Sequence, residues 1–172
     1  MNGSLYISIV VSALFFFTCG AFGQEQSNVI DSESIAEALT EPRTRGLQRA
    51  IGVRAKAKVD LNIPFQVNSS ELAPEARQQL EQLSDALSGD SLAKFRFQIA
   101  GHTDASGAAE YNRQLSEQRA NAVTRYLIDN GVDPDRLESE GYGEEMLLVT
   151  DNPEHPDNRR VEIRNLGALT EN

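Results

Sequence analysis

The chain predicts an α+β fold, a two-layer sandwich of order βαβαββ with two main helices on one face of a four-stranded mixed sheet. Three observations carry this. Two segments alternate apolar and polar residues with period two: Val59, Leu61, Ile63 and Phe65, then Phe95, Phe97 and Ile99. Two longer segments repeat apolar residues with helical spacing, one after each of those strands. Two further short strand-like segments close the chain, a weaker one at Leu137–Tyr142 and one at Arg160–Leu166, so strands and helices alternate before a final strand pair.

The first 23 residues contain no Lys, Arg, Asp or Glu. Ile7 to Phe17 is a short apolar run, and Ala21-Phe22-Gly23 puts small residues where a signal peptidase cuts. Residues 1–23 are expected to be a cleaved secretory signal, with the mature chain starting at Gln24, although the n-region Met1-Asn2-Gly3-Ser4 lacks a basic side chain. A retained membrane anchor is the alternative. Cys19, the single cysteine, lies inside this segment. Acylation of Cys19 is a further alternative, but Phe16-Phe17-Thr18 matches a lipidation box poorly. Cleavage after Gly23 leaves a chain with no thiol and no disulfide.

Residues 24–55 read as a polar lead-in. Ile35, Ala36, Ala38 and Leu39 suggest a short helix ended by Glu41-Pro42, and Arg43-Thr44-Arg45-Gly46 and Gly52 read as linker. The stretch is too short for a membrane barrel, which needs about eight strands of roughly ten residues. Residues 56–168 form the compact domain. After the first strand, Asn68-Ser69-Ser70 is a turn and Pro74 suits the first turn of a helix. Ala76, Leu80, Leu83 and Leu87 give that helix one apolar face, and Gly89 is expected to end it in a left-handed conformation.

The second strand closes at Gly101. A helix is expected from about Ala108 to Asn130, with Leu115, Val123 and Leu127 inward and Tyr126 beside them. Gly131, Val132 and Asp133-Pro134 form its stop signal. Leu137–Tyr142 is the third strand, 143–157 a loop, and Arg160–Leu166 the fourth strand with Val161 and Ile163 on the core face. There is no internal repeat and no low-complexity tract. Ser116 leaves two readings open. It caps a second helical segment whose first-turn amides converge with Arg119 on an anion, or the helix runs unbroken past an exposed Arg119.

The formal net charge of −10 argues against nucleic acid and anionic membranes as partners. An anionic ligand must therefore be caught by local cations. Asp104 and Arg119, fifteen positions apart, offer a fixed anion after a strand-ending glycine and a fixed cation on a helix. Such a pair suits a zwitterion, the carboxylate taking an ammonium and the guanidinium taking a carboxylate through a bidentate fork. This is binding chemistry. His102 and His155 are the only histidines and have no acidic or thiol partners at metal spacing, so neither a metal nor another cofactor is expected. His102, Asp104 and Ser106 alternate on one short segment and cannot converge as a nucleophilic relay. Arg159-Arg160 reads either as a structural pair or as ligand contacts, and Glu138, Glu140, Glu144 and Glu145 as a solvated face.

Several separated motifs agree with one family. They are Phe65-Gln66-Val67-Asn68-Ser69-Ser70-Glu71-Leu72 and Ile99-Ala100-Gly101-His102-Thr103-Asp104, followed by Asn112, Leu115-Ser116, Arg119-Ala120, Val123 and Tyr126-Leu127. Gly141-Tyr142-Gly143-Glu144 and Asn158-Arg159-Arg160-Val161-Glu162-Ile163 complete the set. Over about residues 56–166 the chain resembles the OmpA C-terminal-like domain, shared by peptidoglycan-associated lipoproteins and flagellar stator proteins. The resemblance implies a non-catalytic module that binds the diaminopimelate of the peptidoglycan stem peptide. It implies Asp104 and Arg119 as the grip, with Asn68, Thr103, Asn112 and Arg160 around them. It also implies a place in the periplasm or at the outer membrane of the cell envelope, where the protein tethers the outer envelope to the wall, with an outer-membrane protein as a possible partner. A cell-wall hydrolase or its regulator, and a membrane-anchored stator-like component, are the competing readings. The chain departs from the family pattern at Leu147, where proline is commoner, and in the shorter, proline-rich loop Asp151–Asp157, both at the rim of the pocket.

Overall fold

The computed structural model describes residues 29–40, 57–65 and 68–169. The secretory signal, Cys19, the start at Gln24 and the linker 43–52 lie outside these residues. No described helix is long and apolar enough to cross a membrane. The elements are α1 (Ser32–Thr40), β1 (Lys58–Leu61), α2 (Ala76–Ser88), β2 (Phe95–His102), α3 (Ala109–Asp129), β3 (Leu137–Gly143) and β4 (Val161–Ala168). Two short 3-10 turns, Pro134–Arg136 and Pro156–Asn158, precede β3 and β4.

The sheet order is β1-β4-β2-β3. β2 pairs with β3 in parallel and with β4 antiparallel, and β4 pairs antiparallel with β1. The sheet is therefore mixed and α+β, as the alternation predicts. A parallel pair cannot be joined by a tight turn, and α3 is the crossover between β2 and β3. Val59, Leu61, Phe97, Ile99, Val161 and Ile163 form the inner face of the sheet. Against them pack Leu80, Leu83 and Leu87 of α2 and Ala120, Val123 and Leu127 of α3. Buried Arg136 ties the end of α2 to β2, donating from Nε to the Phe95 carbonyl (3.0 Å) and from Nη2 to those of Leu87 (2.9 Å) and Leu92 (2.8 Å).

The structure differs from the sequence expectations at three places. α1 packs against α2 and β1, with Ile35 and Leu39 fully buried in the common core, so the segment read as part of a lead-in is seated in the domain. The ladder of β1 ends at Leu61. Ile63 stays buried beyond it, and Phe65 forms only an isolated bridge to Leu72. Gly89 is extended (φ −67°, ψ 150°) rather than left-handed, and its N–H still bonds the Asp85 carbonyl at 3.1 Å. Of the two readings left open at Ser116 the unbroken helix holds, because α3 is continuous over 21 residues, with Arg119 half-buried rather than exposed. At the other end of α3 the expected stop signal is present. Gly131 has φ 94°, its N–H bonds the Ile128 carbonyl (3.0 Å), and the Val132 N–H bonds that of Leu127 (3.0 Å), a Schellman closure.

Candidate functional site

Two glycines bring α3 onto the strand ends where the site is built. Gly101 of β2 and Gly141 of β3 are register partners. A Cβ on Gly101 would overlap the backbone carbonyl of Ser116, and one on Gly141 would overlap the backbone of Glu117. Only glycine permits so close an approach. Ser116 uses it: its buried Oγ donates to the Arg113 carbonyl (2.7 Å) and accepts from the Gly143 N–H (2.8 Å). The middle of α3, carrying Asn112, Leu115 and Arg119, is thereby fixed against the loop that follows β2.

That loop is clamped from several sides. The Thr103 N–H bonds the Gly143 carbonyl (2.9 Å) and the Ala105 N–H that of Pro153 (3.0 Å). Asn112, 3% exposed, directs its amide N–H groups to the carbonyls of Asp104 (3.3 Å) and Ser106 (3.1 Å) and to Glu144 Oε2 (2.7 Å). Asn158, fully buried, holds the following loop through its amide, bonding the Leu148 and Val149 N–H groups and the Val149, Asn152 and Pro153 carbonyls.

A cavity of ≈ 440 Å³ opens between this loop, α3 and the turn after β1. Asn68, Thr103, Asp104, Asn112, Arg119 and Arg159 supply its polar wall, and Phe65, Tyr111 and Leu115 its apolar wall. Asn68 holds φ 51°, the left-handed geometry that asparagine tolerates in a turn. Asp104 Oδ1 accepts from the Ser106 N–H (3.1 Å) and Oδ2 from Arg159 Nη1 (2.6 Å). Burial pushes the Asp104 carboxyl up, but the hydrogen bonds from Arg159 and Ser106 outweigh it and hold it below the usual carboxylate range. A carboxylate has about four acceptor positions, so room remains for an ammonium.

Arg119 lies over the Phe65 ring, 4.9 Å from its centroid, and its Nε donates to the Ser69 carbonyl (3.0 Å). Among the described residues nothing accepts from its two Nη groups, so its outer edge faces the cavity with donors to offer. Burial lowers the Arg119 pKa, a shift that leaves a guanidinium charged. The Thr103 hydroxyl is buried and, among the described residues, has no partner.

The structure thus brings five of the six sequence-selected residues, Asn68, Thr103, Asp104, Asn112 and Arg119, around one cavity. It places Arg160 elsewhere. The Arg160 guanidinium is buried against Asp60 (Nε–Oδ1 2.8 Å), the Met146 carbonyl (3.3 Å) and Glu162 (3.4 Å), and it lines a neighbouring cavity. Arg159, which the sequence leaves open between a structural pair and a ligand contact, is the residue that reaches Asp104. Arg119 also sits mid-helix, so no first-turn amides join it.

A family model described as the OmpA family matches residues 64–161. The chain belongs to the OmpA family. The match takes in every cavity-lining residue named above. Over 102 residues the chain is 42% identical to the peptidoglycan-associated lipoprotein of Pseudomonas aeruginosa, covering 58% of this chain and 59% of that protein. Over 116 residues it is 34% identical to outer membrane protein A of Bordetella avium, covering 66% and 59%. The chain spans about three fifths of the length of these two curated relatives. Among solved structures, a MotB-like protein from Desulfovibrio vulgaris superposes with a TM-score of 0.53 at 26% identity, covering 78% of this chain and 97% of that one. The periplasmic domain of Helicobacter pylori MotB superposes with a TM-score of 0.56 at 22% identity, covering 66% and 83%, a likeness of fold.

Proposed function

We propose that this OmpA-family chain is a non-catalytic peptidoglycan-binding protein. It acts in the periplasm at the outer membrane and ties the outer envelope to the wall by gripping the free end of stem-peptide diaminopimelate. The observation that carries the reading is the pair of opposite charges on one cavity, Asp104 and Arg119, with the apolar side chains of Phe65, Tyr111 and Leu115 completing the wall. The free end of diaminopimelate carries an ammonium and a carboxylate on one carbon, joined to the peptide by a short methylene chain. The ammonium meets the Asp104 carboxylate, the carboxylate meets the open Nη edge of Arg119, and the methylenes lie along the apolar wall. The names of the Pseudomonas and Bordetella relatives, a peptidoglycan-associated and an outer-membrane protein, support the same partner and place. A carboxylate already held charged by Arg159 is a poor proton donor or acceptor near neutral pH, which favours binding over hydrolysis.

Charge-assisted hydrogen bonds contribute about 1.5–3 kcal/mol each. After association costs, one stem peptide is held with a Kd on the order of 0.01–1 mM, and the polymeric wall makes attachment firm through many such sites. Arg119→Ala is expected to lose about 2 kcal/mol, near thirtyfold in affinity. Co-sedimentation of the purified protein with isolated cell wall measures the loss. Undiminished co-sedimentation of a double variant, Asp104→Asn with Arg119→Ala, rejects the site, and release of soluble muropeptides during the incubation rejects the non-catalytic reading.

A further inference from the structure

A second cavity of ≈ 240 Å³ adjoins the first and shares Phe65, Arg119 and Arg159 with it. Its other walls include Asn62, Ile63, His102 and Arg160. The single carboxylate on its lining among the described residues is that of Asp157, an exposed side chain that stands 3.6 Å from His155. Of the three guanidiniums, that of Arg160 is neutralised by Asp60 and Glu162. Among the described residues, those of Arg119 and Arg159 face one anion between them, Asp104, which Arg159 alone contacts. The shared wall therefore carries one positive charge more than its own partners cancel, in a chain whose net charge is −10. A second feature points to a ligand. His102 is 1% exposed, lines this cavity, and neither ring nitrogen has a hydrogen-bond partner among the described residues. Buried polar atoms left in that state are costly unless something meets them.

We propose that this second cavity is an anion subsite that takes another carboxylate of the same ligand, so that the protein reads a stem peptide as a zwitterionic end plus a separate carboxylate one residue away. This rests on the peptidoglycan reading above. In a γ-linked D-glutamyl–diaminopimelate unit, the D-glutamyl α-carboxylate is such a group. Arg159 spans both cavities: Nη1 holds Asp104, and its Nε and Nη2, which have no partner among the described residues, are the donors for the second carboxylate. The subsite makes the protein sensitive to a common alteration of such peptides, conversion of that α-carboxylate to an amide, which removes the charge while leaving the diaminopimelate unchanged.

The test titrates the full chain by calorimetry with three probes: free diaminopimelate, L-Ala-γ-D-Glu-diaminopimelate, and the same tripeptide with the D-Glu α-carboxylate amidated. The acid tripeptide is expected to bind about tenfold more tightly than its amide, the gain of one charge-assisted contact. Asn62→Asp, at an exposed position that lines the second cavity only, adds a carboxylate there and is expected to bring the acid-to-amide ratio to about one. Equal affinities of acid and amide in the unaltered protein overturn the subsite. They leave the first cavity standing if both tripeptides lose affinity in Arg119→Ala. Binding of all three probes that is indifferent to Arg119→Ala overturns both readings.

Discussion

His102 is stacked on Tyr142, with ring centroids 5.5 Å apart, and stands 3.8 Å from Glu162 Oε2. Burial pulls the imidazole down to about 3 from its ordinary 6.5, with Arg160, Arg164 and Lys58 adding to the effect and Glu162 opposing it. Between those two values the unfolded chain takes up a proton that the folded chain refuses, so stability present above pH 6.5 declines as pH falls. Burial pushes Glu162 up, but hydrogen bonds from Arg164 and Lys58 outweigh it and bring the group to about 2 from 4.5, so a second decline starts near pH 4.5. His102→Phe keeps a ring on Tyr142 and removes the first decline. It is expected to spare about 2 kcal/mol of the stability lost between pH 6.5 and 4.5, measured by urea denaturation at each pH. An identical slope in the variant and the unaltered protein contradicts the assignment. At this scale a strand-ending glycine and a helical spacing single out Asp104 and Arg119 in the sequence, and the fold brings both to one cavity. The choice between Arg159 and Arg160 is not legible there. Successive residues entering a strand point to opposite faces, and one position of register decides which guanidinium joins Glu162 and which joins Asp104.

Among the elements, α3 sets the geometry of the site, and it is placed by what Gly101 and Gly141 lack. Gly101→Ala forces a methyl into the Ser116 carbonyl, which is backbone and cannot rotate away. The expected cost is about 1–3 kcal/mol in the urea midpoint, with affinity for diaminopimelate falling in parallel because Asn112 and Arg119 move with the helix. A variant that lowers stability without touching affinity shows that α3 does not position the site. β2, β4 and both long helices are legible from period alone, because each buries a face against one core, whereas β3 carries little apolar period of its own. Gly89 misleads, and Ser116 leaves its choice open, for a common reason: local propensity competes with tertiary demand. The Ser116 hydroxyl serves the buried Gly143 N–H from within a continuous helix. Gly89 closes α2 through its N–H while its φ stays negative, so the end of this helix does not need glycine's freedom.

For the whole molecule, the boundary of the folded unit lies further toward the N-terminus than the run of family motifs suggests. α1 brings Ile35 and Leu39, both fully buried, into the cluster that contains Leu80, Leu83 and Ile163. Polar ties reinforce the apolar contact. Gln79 exchanges hydrogen bonds with the backbone of Ile30 (2.8 and 3.0 Å), Gln82 Oε1 accepts from the Ser32 N–H (3.0 Å), and Asn165 Nδ2 donates to the Leu39 carbonyl (2.9 Å). The spacing of Ile35 and Leu39 marks a helix, but nothing local tells which surface such a short helix covers. Its partners are contributed by residues about 20 to 130 positions later, and the family match begins only at residue 64. If α1 is part of the core, truncating one of its two buried side chains must behave as a core substitution. Leu39→Ala in the full chain is expected to cost about 2–5 kcal/mol, read as a lowered urea midpoint with an unchanged denaturant slope. The equivalent change at Glu37, which is exposed on the same helix, is expected to stay within about 0.5 kcal/mol. The site is built from the opposite ends of β2, β3 and α3, so under conditions where Leu39→Ala remains folded its affinity for diaminopimelate should match the unaltered protein. Equal, small losses at Leu39 and Glu37 mean that α1 only rests on the surface, and a loss of affinity without a loss of stability means that it takes part in the site.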